Sequence, residues 1–148
     1  LIPFENKSEG IFLSLSVEGY QFPECNDDWC NIKLHLNTPA GEFLKVDPAL
    51  ESEELQELLN WFDDLQFRRL PIFAHLCFTE PVISFEFLAV KADTVRVAIH
   101  LSHEFKPSFL AGSQIEPKDY LFDLSKENLI QITTNLRQAI ENYPSRED

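Results

Sequence analysis

The side chains able to do chemistry in this 148-residue chain are few and poorly spaced for it. Cys25, Cys30 and His35 are zinc-type donors, and His100-x-x-His103 adds two imidazoles. Neither spacing matches a compact zinc pattern, and on a strand positions i and i+3 face opposite sides. Unrelated surface or edge residues are the better reading. Ser, His and Asp all occur, but there is no Gly-x-Ser-x-Gly elbow and no glycine-rich phosphate loop. With four Gly in the chain, a backbone cradle for a nucleotide has little material. The pairs Asp27-Asp28 and Asp63-Asp64 do not converge, because neighbours on a helix diverge by about 100°. They leave at most a weak, non-specific divalent site at Asp27-Asp28. The expectation is a protein with no catalytic residues, no cofactor and no resident metal.

The elements that would position these residues follow from hydrophobic period. Residues 11–17 alternate, with Leu13, Leu15 and Val17 on one side and Ser14 and Ser16 on the other, which predicts a strand. Residues 19–23 break the pattern, and 24–28 form a polar loop. Ile32, Leu34 and Leu36 alternate with Lys33 and His35, Thr38-Pro39-Ala40-Gly41 has turn composition, and 42–46 complete a hairpin closed by Asp47-Pro48. Leu55, Leu58, Leu59 and Phe62 then fall at i, i+3, i+4 and i+7 of a helix, with Ser52 as its expected N-cap. Residues 72–78, 82–90 and 95–103 read as three more strands. Residues 104–119 carry Pro107, Gly112 and Pro117 and read as a long irregular connection. A short strand at 120–124 precedes a helix that Ser125 caps and Pro144 ends, with Leu129, Ile132, Leu136, Ile140 and Tyr143 on one face. The expected fold class is α+β: about seven mostly antiparallel strands with two helices packed on them.

Composition narrows the function classes. Apolar residues make up 44% of the chain, thirteen of them Phe, which excludes wholesale disorder. No apolar run approaches the roughly 20 residues of a membrane helix. The first residues lack the pattern of a secretory signal, and three cysteines are too few and odd in number for a disulfide scaffold, so a reducing cytoplasm is expected. Pairing of Cys25 with Cys30 stays open. The charge is one-sided. Residues 1–64 hold fourteen acids against Lys7, Lys33 and Lys45, while residues 65–148 hold eleven acids and nine bases. Between Lys45 and Arg68 there is no base but seven acids: Asp47, Glu51, Glu53, Glu54, Glu57, Asp63 and Asp64. Ordinary surface helices interleave Lys to form i, i+4 pairs. A second stretch, 7–33, carries Glu9, Glu18, Glu24, Asp27 and Asp28 with no base between its ends. Trp29 and Trp61 sit beside the two runs as candidate interface anchors, or as core-boundary residues. Direct nucleic-acid binding is disfavoured, since phosphate contacts need Lys and Arg. A cationic protein partner is the physical reading.

Several segments, taken in order, resemble the WapI family of bacterial immunity proteins. They are Gly19-Tyr20-Gln21-Phe22-Pro23, an acidic loop, Trp29-Cys30-Asn31-Ile32, Thr38-Pro39-Ala40-Gly41 and Phe43. A Leu-Leu-x-Trp-Phe helix follows, then Phe78-x-Glu80-Pro81-x-x-Ser84-Phe85-Glu86, and a final helix ending near Tyr143-Pro144. The likeness runs over residues 11–144, leaving 1–10 as an N-terminal extension and 145–148 as a tail of one domain. The 104–119 segment has no matched counterpart. The resemblance implies a small cytoplasmic antitoxin that binds the C-terminal toxin domain of a wall-associated, contact-dependent effector. Such toxins are often RNA-cutting nucleases with basic clefts.

The leading expectation is therefore a non-enzymatic inhibitor, monomer or dimer, that meets a basic toxin domain through Glu24, Asp27, Asp28, Trp29, Glu53, Glu54, Glu57, Trp61 and Asp64. The alternative is an acidic structural or adaptor domain, homo-oligomeric or not. An Asp/Glu metal enzyme ranks third.

Overall fold

The computed structural model describes residues 1–110 and 118–146. Eight strands form two four-stranded antiparallel sheets in which every strand pairs with its neighbour in sequence. The first sheet contains β1 (Ile2–Asn6), β2 (Ile11–Tyr20), β3 (Trp29–Thr38) and β4 (Gly41–Glu51). Helix α1 (Ser52–Gln66) leads to the second sheet, made of β5 (His75–Leu76), β6 (Ile83–Val90), β7 (Thr94–Leu101) and β8 (Lys118–Ser125). Helix α2 (Lys126–Asn142) follows directly. Short connections favour this meander order in both sheets. The class is α+β, with one strand more than expected.

The extra strand is β1. Ile2 and Phe4 are buried and pair opposite Leu15 and Leu13 of β2. Two apolar positions around Pro3 are too short a signal to read by period, yet an edge strand tolerates proline. Phe4 lies at the junction of the molecule. Its ring sits 5.9 Å from Phe62 of α1, 6.2 Å from Phe85 of β6 and 5.6 Å from Phe122 of β8. The expected N-terminal extension is thus a core strand, and the buried residues of both sheets and both helices form one contiguous cluster.

Other boundaries shift for local reasons. The first hairpin does not close at Asp47-Pro48; β4 runs on to Glu51, because Pro48 lies on an edge strand and a register shift between Cys30 and Ile32 accommodates it. The hairpin turn is set by Thr38, whose hydroxyl oxygen accepts the Ala40 amide at 3.1 Å. Gly41 has φ +157° and lies under the Phe109 ring, where a Cβ would meet Phe109 at 3.0 Å. Gly19, at φ +140°, sits where β2 bulges against β3.

Helix α1 buries Leu55, Leu58, Leu59, Phe62 and Leu65, and Trp61 with them. Its N-cap is Glu51 rather than Ser52, and the Glu54 carboxylate accepts the Glu51 amide at 3.0 Å. Ser52 turns inward and its amide donates to the Asp28 carbonyl at 3.0 Å. In α2, Ser125 caps as expected, its hydroxyl oxygen accepting the Asn128 amide at 3.1 Å. The strand expected over 72–78 shrinks to two residues. Arg68 takes a left-handed conformation (φ 59°), and the Trp61 indole of α1 then holds the Phe73 carbonyl before the chain pairs with β6. Of the long connection expected over 104–119, a 3-10 turn (His103–Phe105) opens it, Lys118 and Asp119 belong to β8, and 111–117 lie outside the described residues.

Candidate partner-binding surface

The exposed face of α1 carries Glu53, Glu57, Asn60 and Asp64 in one line, as the 3.6-residue repeat requires. Glu53 and Glu57 are exposed, and among the described residues neither has a cation within ion-pair range. Asp64 accepts Arg69 Nε at 3.2 Å. Asp63 accepts Arg137 Nη2 from α2 at 2.7 and 2.8 Å. The run without a base in sequence is therefore compensated in part, by arginines that folding delivers from outside it.

Three of the nine sequence-selected residues lie inside the protein. Glu54 is 7% exposed, and its second carboxylate oxygen accepts the Thr79 amide at 2.8 Å, so it ties α1 to the segment before β6. Trp61 is 4% exposed, edge-on to Phe62 with centroids 5.0 Å apart, and its indole N–H donates to the Phe73 carbonyl at 2.9 Å. Asp28 is 4% exposed and faces the C-terminal segment. It accepts the Ser145 hydroxyl at 2.6 Å and the Arg146 amide at 2.8 Å. Two backbone amides hold Glu54 inward, aromatic neighbours hold Trp61, and a distant Ser-Arg pair draws in Asp28. Of the rest, Glu24 is exposed, Trp29 is half-buried, and Asp27 accepts the Trp29 amide at 2.7 Å.

Arg146 explains the Gly-Tyr-Gln-Phe-Pro segment. Its guanidinium stacks 3.7 Å from the Tyr20 ring, and it donates to the carbonyls of Pro23 (2.9 Å), Phe22 (3.2 Å) and Asp27. Tyr143 meets Tyr20 edge-on at 5.5 Å. The expected tail thus straps the 20–29 loop, an arrangement that no local pattern reveals. Cys25 and Cys30 are unpaired: Cys25 is exposed, and Cys30 is buried 3.7 Å from the Ser52 hydroxyl. Burial pushes the Cys30 thiol above its ordinary pKa.

Between α1 and the chain leading to β5 lies a cleft of about 430 Å³, with Trp61 and Leu76 in its floor and Glu57, Asp64, Ile72 and Phe73 in its walls. Ile72 is 89% exposed and Phe73 66% exposed. A strand over 72–78 would have turned alternate side chains inward, so period alone hid this surface.

A second cluster joins it at His75. On the outer face of the second sheet, His100 Nδ1 meets Asp119 at 2.5 Å and Nε2 meets Glu86 at 2.9 Å. His75 Nε2 meets Ser84 Oγ at 2.8 Å, and the two imidazoles lie 5.2 Å apart. Burial opposes the charge on His100, but its two carboxylate hydrogen bonds outweigh that and raise its pKa above the ordinary histidine range. Both ring nitrogens are occupied, which leaves none for general-base work or metal ligation. Strand register brings His100 opposite Ser84 and Asp119, a pairing that residue spacing did not reveal. Among the described residues no His, Cys, Asp and Glu cluster has metal-binding geometry.

The molecule is thus an acidic α+β protein whose most distinctive surface is an apolar cleft beside Glu53 and Glu57, which lack counter-ions among the described residues. Its sequence matches the model of the Immunity protein WapI-like family over residues 3–144, and the chain belongs to that family. The matched region begins within β1, eight residues earlier than the motifs suggested. No curated protein and no solved structure matches. Family membership gives the role of an immunity protein, with a toxin as its partner in general, and such proteins are generally not enzymes. Among the described residues no helix is long and apolar enough to cross a membrane.

Proposed function

We propose that this immunity protein works in the cytoplasm and neutralises a cognate basic toxin domain, a nuclease, by covering the cleft that otherwise receives phosphate. The observation that carries this reading is the pair of carboxylates, Glu53 and Glu57, held on the α1 surface without counter-ions among the described residues, in a chain of net charge −13. Free, they repel; against a cationic cleft they gain, and the field of the whole protein speeds encounter. Asp64 lies on the same helix face, Glu24, Asp27 and Trp29 are taken as further contacts from the 20–29 loop, and Glu54 and Trp61 brace α1 from within. Inhibition then needs no chemistry, only occupancy.

Co-expression with the toxin domain encoded by the adjacent gene tests the reading. Growth should be rescued, and the purified pair should associate more slowly as salt rises. Changing Glu53, Glu57 and Asp64 together to Lys should slow association and flatten its salt dependence. Unchanged rates would remove α1 from the interface.

A further inference from the structure

Four large apolar side chains stand in solvent within seven positions: Phe67 (58% exposed), Leu70 (76%), Ile72 (89%) and Phe73 (66%). Single exposed apolar residues are ordinary, whereas a contiguous group marks an interaction surface. The backbone beneath them is pinned. At its start the amides of Phe67, Arg68 and Arg69 donate to the carbonyls of Asp63, Leu65 and Asp64 at 3.1, 3.2 and 2.7 Å. At its end Trp61 holds the Phe73 carbonyl, and the Phe87 amide donates to the Ala74 carbonyl at 2.7 Å. The display is preorganised, so a partner need not bear the cost of ordering it.

We infer that residues 70–73 and the cleft they share with α1 form the principal docking site, taking from the partner an apolar side chain flanked by Lys or Arg. This rests on the proposed immunity role and specifies where the toxin is gripped. Charge selects the occupant. The cleft wall carries Glu57 with no counter-ion among the described residues, and its neighbour Asp64 is the carboxylate that Arg69 engages. Among the described residues no Lys or Arg lines the cleft. A second copy of this chain would bring another −13 and, across a two-fold axis, the same acidic wall. A basic partner buries the apolar group and neutralises Glu57 in one contact.

The test is titration of the full chain with the purified toxin domain encoded by the adjacent gene. Ile72→Asp and Phe73→Ala should each weaken binding by about tenfold or more, as central interface anchors do. Glu57→Lys should slow association, and Leu44→Asp, a control on the exposed part of β4, should change nothing. These side chains are exposed, so melting temperatures should match the parent; Phe73→Ala carries the test if Ile72→Asp lowers its own. Parent protein that does not bind the toxin domain overturns the immunity reading and this site with it. Binding by the parent, matched by the cleft variants or equally lost in Leu44→Asp, overturns the site alone. A dimer by light scattering that Ile72→Asp dissociates makes a second copy the occupant and overturns the proposal.

Discussion

Replacing Asp28 by Ala should destabilise the fold and leave recognition through α1 and its cleft intact in the folded protein. Asp28 is 4% exposed and receives two hydrogen bonds, from Ser145 Oγ at 2.6 Å and the Arg146 amide at 2.8 Å. Hydrogen bonds to a charged group contribute about 1.5–3 kcal/mol each, and removing the carboxylate recovers part of its own desolvation cost. The Arg146 guanidinium lies 3.9 Å away, too far to add a strong ion pair. An indirect loss adds to this, because without Asp28 the strap that Arg146 lays across Tyr20, Phe22 and Pro23 loses its anchor. A net loss of about 3 kcal/mol follows, or a fall in Tm of roughly 6–12 °C for a chain of this size. Arg146→Ala should cost less, about 1–2 kcal/mol, since its backbone amide still reaches Asp28. The double variant should cost less than the sum of the two. Urea titrations of the four proteins measure all three quantities. Asp28→Ala within about 0.5 kcal/mol of the parent, with toxin affinity lost, would refute the reasoning and return Asp28 to the surface role its sequence context suggested.

Two further outcomes follow from the core and from the second sheet. Phe4→Ala should cost about 3–5 kcal/mol in urea unfolding, because the ring joins α1, β6 and β8; a neutral result would return the first residues to the status of an extension. His100 has a folded pKa above its unfolded value near 6.5, so its contribution is complete below that pH and is lost as pH rises through the folded value. The stability advantage of the parent over His100→Gln should therefore be larger at pH 6 than at pH 8.5, and a pH-independent gap would exclude the charged ring.

What could be read without coordinates was whatever depends on near neighbours in the chain. Alternation at 11–17 and 95–101 and the helical stripe from Leu55 to Phe62 mark the faces that pack on the core, so strands, helices, the Ser125 cap and the α+β class were visible, although Ser14 and Ala98 on the opposite faces are buried as well. The family likeness was also visible, in short motifs whose order survives. The local signal failed where the tertiary environment overruled it. Two apolar residues flanking Pro3 became a core strand because a pocket of Phe62, Phe85 and Phe122 was waiting for Phe4. Residues 72–74 stayed out of the sheet because Trp61 holds the Phe73 carbonyl.

Charge divides along the same line. The chain alone determined that its first half is strongly acidic and that α1 aligns Glu53, Glu57 and Asp64 on one face, since helix period depends only on spacing. Only the fold decided which carboxylates stay free. Arg137 reaches Asp63 and the Arg146 amide reaches Asp28 across 74 and 118 residues of sequence, distances over which spacing carries no information about contact. Burial of Glu54 and Trp61 and exposure of Ile72 and Phe73 were decided in the same way, by which surfaces remained once the two sheets and two helices had closed on a shared core.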